Sequence, residues 1–114
     1  MSRGPFRDAW WAVALALLGA SVSATQQPTS TTRSHTITIE NMQYSAPQLS
    51  VHRGERIVWV NKDLFPHTVT AVNKAFDSGA IAAGGSWTYV ANKVGEYSYS
   101  CTYHPTMKGT LKVQ

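Results

Sequence analysis

With 114 residues, 43% of them apolar and 14% charged, the chain suits one small folded domain and is too hydrophobic to be disordered throughout. A single cysteine excludes an intrachain disulfide scaffold. The formal charge of +4 is scattered without a basic run, so a nucleic-acid footprint is excluded as well.

Read in chain order, Arg3 and Arg7 precede an apolar run from Ala9 to Val22, and Val22-Ser23-Ala24 has the small-x-small form of a cleavage site. Residues 1–24 therefore read as a secretory signal peptide removed after Ala24, which directs the protein to the periplasm. The run is shorter than the roughly 20 apolar residues that span a bilayer, so no stable membrane insertion is expected after cleavage. Residues 25–33, rich in Ser, Thr, Gln and Pro, read as a flexible leader, and residues 34–114 as the folded domain.

Within that domain His35-Thr36-Ile37-Thr38-Ile39 alternates in polarity, as does Gln48-Leu49-Ser50-Val51. Arg53-Gly54-Glu55 turns into a strand at Ile57-Val58-Trp59-Val60, and Thr68 to Val72 predicts a fourth. Gly84-Gly85 leads into Ser86 to Val90, Gly95-Glu96 into Tyr97 to Cys101, and Gly109 to Val113 closes the series. Short strands at this spacing, with no helical apolar stripe after residue 24, predict an all-β sandwich.

The chemistry concentrates in Cys101-Thr102-Tyr103-His104-Pro105-Thr106-Met107, where Cys, His and Met recur at offsets of three. A lone thiol in an exported protein is a liability unless it is buried, liganded or paired between chains, and these neighbours point to ligation. His67, in Phe65-Pro66-His67-Thr68, opens a different strand that a sandwich can bring alongside. A thiolate, two neutral imidazoles and a weak thioether serve both Cu(I) and Cu(II), the donor set of a blue-copper electron-transfer site. Taken singly, each of these residues reads as core filler or an ordinary histidine; the spacing carries the metal reading. His35 and His52 have no such company and are read as ordinary side chains.

These residues make the sequence similar to the cupredoxins, the small blue-copper proteins, over nearly all of residues 35–113. The landmarks are Gly54 to Asn61, Pro66-His67-Thr68-Val69, Asp77-Ser78-Gly79, Gly95 to Cys101 and Met107 to Val113. Within the family the short Cys-x2-His-x2-Met loop, with Thr102 after the cysteine and Pro105 after the histidine, looks like that of the amicyanins. The resemblance implies a Greek-key β-sandwich holding one type 1 copper, with Cys101 as thiolate ligand, His67 as buried imidazole, His104 as the imidazole nearest the surface and Met107 as axial thioether. It implies a monomeric electron carrier with no catalytic residues, exchanging electrons with a donor dehydrogenase or a cytochrome c acceptor. Phe65, Pro66, Pro105 and Thr106 are either an apolar docking patch around His104 or its water-excluding wall.

Two positions depart from the family pattern. Thr68 stands where an asparagine usually ties the two ligand loops together, and its side chain has less reach; Tyr103 replaces a proline between Cys101 and His104. Two further readings compete with the carrier. A Cys/His/His set with an open position can hold catalytic zinc, but the sequence offers no evident general base beside it. A copper storage or delivery module would use the same ligands without shuttling electrons.

Overall fold

In the computed structural model the described residues are Gly4, 14–25 and 32–114. Among them, the polarity alternation between Ser34 and Val113 resolves into eight strands: β1 Ser34–Glu40, β2 Gln43–Tyr44, β3 Gln48–Val51, β4 Arg56–Asn61, β5 Thr70–Ala71, β6 Ser86–Val90, β7 Gly95–Ser100 and β8 Lys108–Val113. They form two four-stranded sheets, ordered β2-β1-β4-β6 and β3-β8-β7-β5. The all-β sandwich expected from the pattern is the fold observed.

Every second residue faces the space between the sheets. Ile37 and Ile39 of β1, Ile57 and Trp59 of β4, Tyr97 and Tyr99 of β7, and Leu111 and Val113 of β8 are all buried there. Trp59 meets Tyr99 edge-on with ring centroids 5.6 Å apart, and Tyr44 does the same at 4.9 Å. Gly109, opposite Tyr99 in the β7–β8 ladder, leaves room for that side chain, because a Cβ there would overlap the tyrosine ring and hydroxyl unless the ring shifted.

Two pairings are parallel and join distant parts of the chain: β1 with β4, from Ser34↔Arg56 to Ile39↔Asn61, and β3 with β8, from Gln48↔Thr110 to Val51↔Val113. The remaining ladders are antiparallel. The loop after β4 in one sheet and the loop after β7 in the other carry the candidate ligands, so the site is built where the two sheets end together.

Two local differences from the sequence reading have physical causes. The predicted strand over 68–72 keeps ladder pairing only at Thr70–Ala71, because the N–H groups of Thr68 and Val69 go to Cys101 Sγ and Ser78 Oγ. Strand β2 was not anticipated, being two residues beyond a turn whose residues, Asn41 and Met42, both take positive φ (53° and 60°) without a glycine to announce it. Much of the signal-peptide and leader assignment falls on residues outside the described ones. Residues 14–25 carry neither helix nor strand, and among the described residues no helix is long and apolar enough to cross a membrane.

Candidate metal centre

The loop 101–107 is closed by bonds among the three residues singled out in it. His104 N–H donates to the Cys101 carbonyl (3.2 Å), Met107 N–H to the His104 carbonyl (2.8 Å), and Cys101 N–H to the Met107 carbonyl (3.2 Å). This ring of main-chain bonds fixes where the three side chains start, and Ser100↔Lys108 pairing holds the loop's two ends together.

His67 reaches the same point from the other sheet. Its backbone is paired in both directions with Ile81 (3.1 and 2.7 Å). The segment before it is shaped by buried Asn61, whose Nδ2 donates to the carbonyls of Phe65 and Ile81 and whose Oδ1 accepts Asp63 N–H. His67 Nδ1 lies 3.7 Å and His104 Nδ1 3.9 Å from Cys101 Sγ. Donor atoms of all three fall within 4.8 Å of one another, the one such His/Cys/Asp/Glu cluster among the described residues. Cys101 and His67 are fully buried, whereas His104 is half-buried. Met107 is buried and joins the cluster through its backbone. His35 is elsewhere, paired with Glu55 at 2.9 Å, and His52 donates its N–H to the same carboxylate.

The substituted position 68 bridges the loops after all. Thr68 N–H donates to Cys101 Sγ (3.3 Å), and its Oγ1 accepts Thr102 N–H (2.8 Å). The same hydroxyl meets Thr70 Oγ1 at 2.9 Å and Thr102 Oγ1 at 3.2 Å, and Thr70 in turn donates to Asp77. Tyr44 hydroxyl closes the opposite side on the Thr68 carbonyl at 2.7 Å. Burial, reinforced by the neighbouring Cys101 and Tyr99, raises the Tyr44 phenol far above its ordinary range, so it remains a neutral donor.

Asp63 completes the surroundings, and the sequence reading missed it. Its carboxylate accepts N–H bonds from Asn41 (2.7 Å) and Met42 (3.0 Å), and its Oδ2 lies 2.8 Å from His67 Nε2. Burial pushes the carboxyl up, but the bonds from Met42, His67 and Asn41 outweigh it and hold it below the usual aspartate value. The available signal was its position four residues before His67. Also missed was Leu64, which with Tyr103 extends the exposed apolar rim: Leu64 is 87%, Phe65 57% and Tyr103 52% exposed.

One buried sulfur and two imidazole nitrogens converging from a rigid frame, with the site's carboxylate already engaged by two N–H groups and a histidine, fit one type 1 copper. This combination defines a copper-binding β-sandwich. The Cupredoxin-like domain family matches residues 11–113, and the chain belongs to that family. Amicyanin of Paracoccus versutus is 32% identical over 81 residues, 67% of this chain and 61% of its own length. The chain thus spans less than two thirds of that relative. Amicyanin-alpha of Methylorubrum extorquens is 27% identical over 111 residues, covering 93% of this chain and 91% of the relative. Among solved structures, a mutant of amicyanin in its Cu(I) form superposes with a TM-score of 0.67 at 27% identity, over 71% of this chain and 82% of that one.

Proposed function

We propose that the protein is a periplasmic type 1 copper carrier that shuttles single electrons between redox proteins and is not an enzyme. His67, Cys101 and His104, with the Met107 thioether as a further donor, would hold the copper, which would supply a one-electron Cu(I)/Cu(II) couple. Cys101, His67 and their hydrogen-bonded frame exclude water and keep the donors in place through the cycle. His104 presents the accessible ring edge to a docked partner.

The observation that carries this reading is an asymmetry: His67 and Cys101 are fully buried, while His104 is half-buried and flanked in sequence by exposed Tyr103 and Pro105. A water-excluding wall would itself be buried, whereas Leu64, Phe65 and Pro66 are exposed, which supports a docking patch for a redox partner.

The decisive experiment is the visible spectrum of the Cu(II)-loaded protein with voltammetry and electron exchange with a cytochrome c. An intense thiolate-to-copper band, absent from a folded Cys101→Ser variant, together with a reversible couple, is expected. Copper binding without a reversible couple would make it a storage or delivery module. A band that survives Cys101→Ser would overturn the site.

A further inference from the structure

The motif Asp77-Ser78-Gly79 holds no candidate ligand, yet it is bound at several points to the segment that carries Thr68. Thr70 and Asp77 form an isolated antiparallel bridge. Ser78 N–H donates to the Val69 carbonyl (3.0 Å), and Ser78 Oγ accepts Val69 N–H (2.7 Å). Asp77 Oδ1 accepts both Gly79 N–H (2.9 Å) and the Thr70 hydroxyl (3.1 Å), so the carboxylate is fixed by main chain on one side and faces a side chain on the other.

A hydroxyl has one proton, and a carboxylate has only acceptor atoms. With its proton on Asp77, the Thr70 oxygen can only accept, and the Thr68 hydroxyl 2.9 Å away is turned to donate to it. The Thr68 oxygen then keeps its lone pairs for Thr102 N–H at 2.8 Å. Thr102 N–H, Thr68, Thr70 and Asp77 thus run head to tail, each donating to the next and the last bearing a charge. Bonds aligned in this way polarise and strengthen one another. The same hydroxyls have an opposite sense open to them, in which Thr70 donates to Thr68 and Thr68 to Thr102 Oγ1 at 3.2 Å. The carboxylate selects between the two.

We propose that Asp77 is a positioning residue: acting through Thr70, it sets the sense of the hydroxyl chain by which Thr68 grips the Cys101–Met107 loop, and so slows the departure of the metal. The gripped amide, Thr102 N–H, directly follows Cys101, and the same Thr68 gives its own N–H to Cys101 Sγ (3.3 Å), so slack at Thr68 is felt at the thiolate from two directions. An amide side chain at position 68 carries its donor and acceptor at fixed ends and needs no such director; a row of rotatable hydroxyls does. The effect on metal release rests on the copper reading above, whereas the effect on Thr102 does not.

Amide hydrogen exchange of the metal-free protein at neutral pH reads the chain at its far end. Asp77→Ala should speed exchange at Thr102 by about three- to tenfold, Thr70→Val should match it, and Asp77→Asn, which keeps an acceptor oxygen, should stay close to wild type. Adding Asp77→Ala to Thr70→Val should change Thr102 no further, because the chain is already cut. Unchanged exchange in both single variants, or an Asp77→Ala effect that persists in full on the Thr70→Val background, would overturn the proposal and leave Asp77 bracing its own turn. In the copper-loaded protein both single variants should release Cu(II) to a chelator faster by a similar factor; faster Thr102 exchange with unchanged release would overturn the link to the metal. A protein that takes up no copper would sink the copper reading and not the Thr102 result. Should Asp77→Ala fail to fold, Thr70→Val, with Thr70→Ser as its rescue, decides.

Discussion

Thr68 does with one hydroxyl and one N–H what the sequence comparison assigned to a longer amide side chain. Its Oγ1 accepts Thr102 N–H and its own N–H reaches Cys101 Sγ, so the two ligand loops are joined at a single buried residue. Thr68→Val keeps the shape but strands the Thr102 N–H, which should cost about 1–3 kcal/mol in denaturant unfolding and speed copper loss to a chelator. Thr68→Ser should restore both. At Met107 the expected effect is on potential: Met107→Gln offers a harder donor that favours Cu(II), so voltammetry should give a lower reduction potential, with each tenfold change in relative affinity worth about 59 mV. The ligands themselves were legible because Cys101, His104 and Met107 are neighbours in the chain and His67 carries a proline before it. The bond from Asn41 to Asp63 and the bond from Thr102 to Thr68 were not, since these partners lie 22 and 34 residues apart in the chain. Only the folded sheets bring those pairs together.

At the scale of elements, the strands with a clean two-residue period were readable, and their pairing was not. Ile37, Ile39, Ile57 and Trp59 declare an inward face by alternation, but nothing in β1 announces that its other edge lies parallel to β4. Strands β2 and β5 are two residues each and too short to show a period. Gly109 shows how tightly one element depends on another. Because Tyr99 fills the space a Cβ would need, Gly109→Ala should push that ring against Trp59 and Tyr44 and cost about 1–3 kcal/mol. Urea unfolding should give a lower midpoint with an unchanged slope.

For the molecule as a whole, acid sensitivity has an identifiable source away from the site. Glu55 lies between His35, whose ring bonds its Oε2, and His52, whose N–H bonds its Oε1, and these contacts lower its carboxyl below the ordinary value of 4.5 despite opposing burial. A carboxyl depressed on folding stabilises the fold above its unfolded pKa, and that contribution disappears as pH falls through the folded one. Thermal melts of the metal-free protein should therefore show Glu55→Gln less stable than wild type at neutral pH. The gap should narrow as pH falls from the ordinary carboxylate range toward the lower pKa of the folded protein, where the wild-type carboxyl is protonated as well.

The ring of main-chain bonds through Cys101, His104 and Met107 bears on how such a protein can diversify. Each of the three residues both donates to and accepts from another of the three, and the loop leaves and re-enters the sandwich at one register pair, Ser100↔Lys108. An extra residue between His104 and Met107 cannot be absorbed one bond at a time, because it breaks a circuit rather than lengthening a tether. The whole stretch from Cys101 to Met107 can, however, be exchanged for another self-closing loop without shifting β7 against β8. Heritable variation in this region should accordingly come as whole-cassette replacement, with the sandwich acting as a socket indifferent to what is plugged into it.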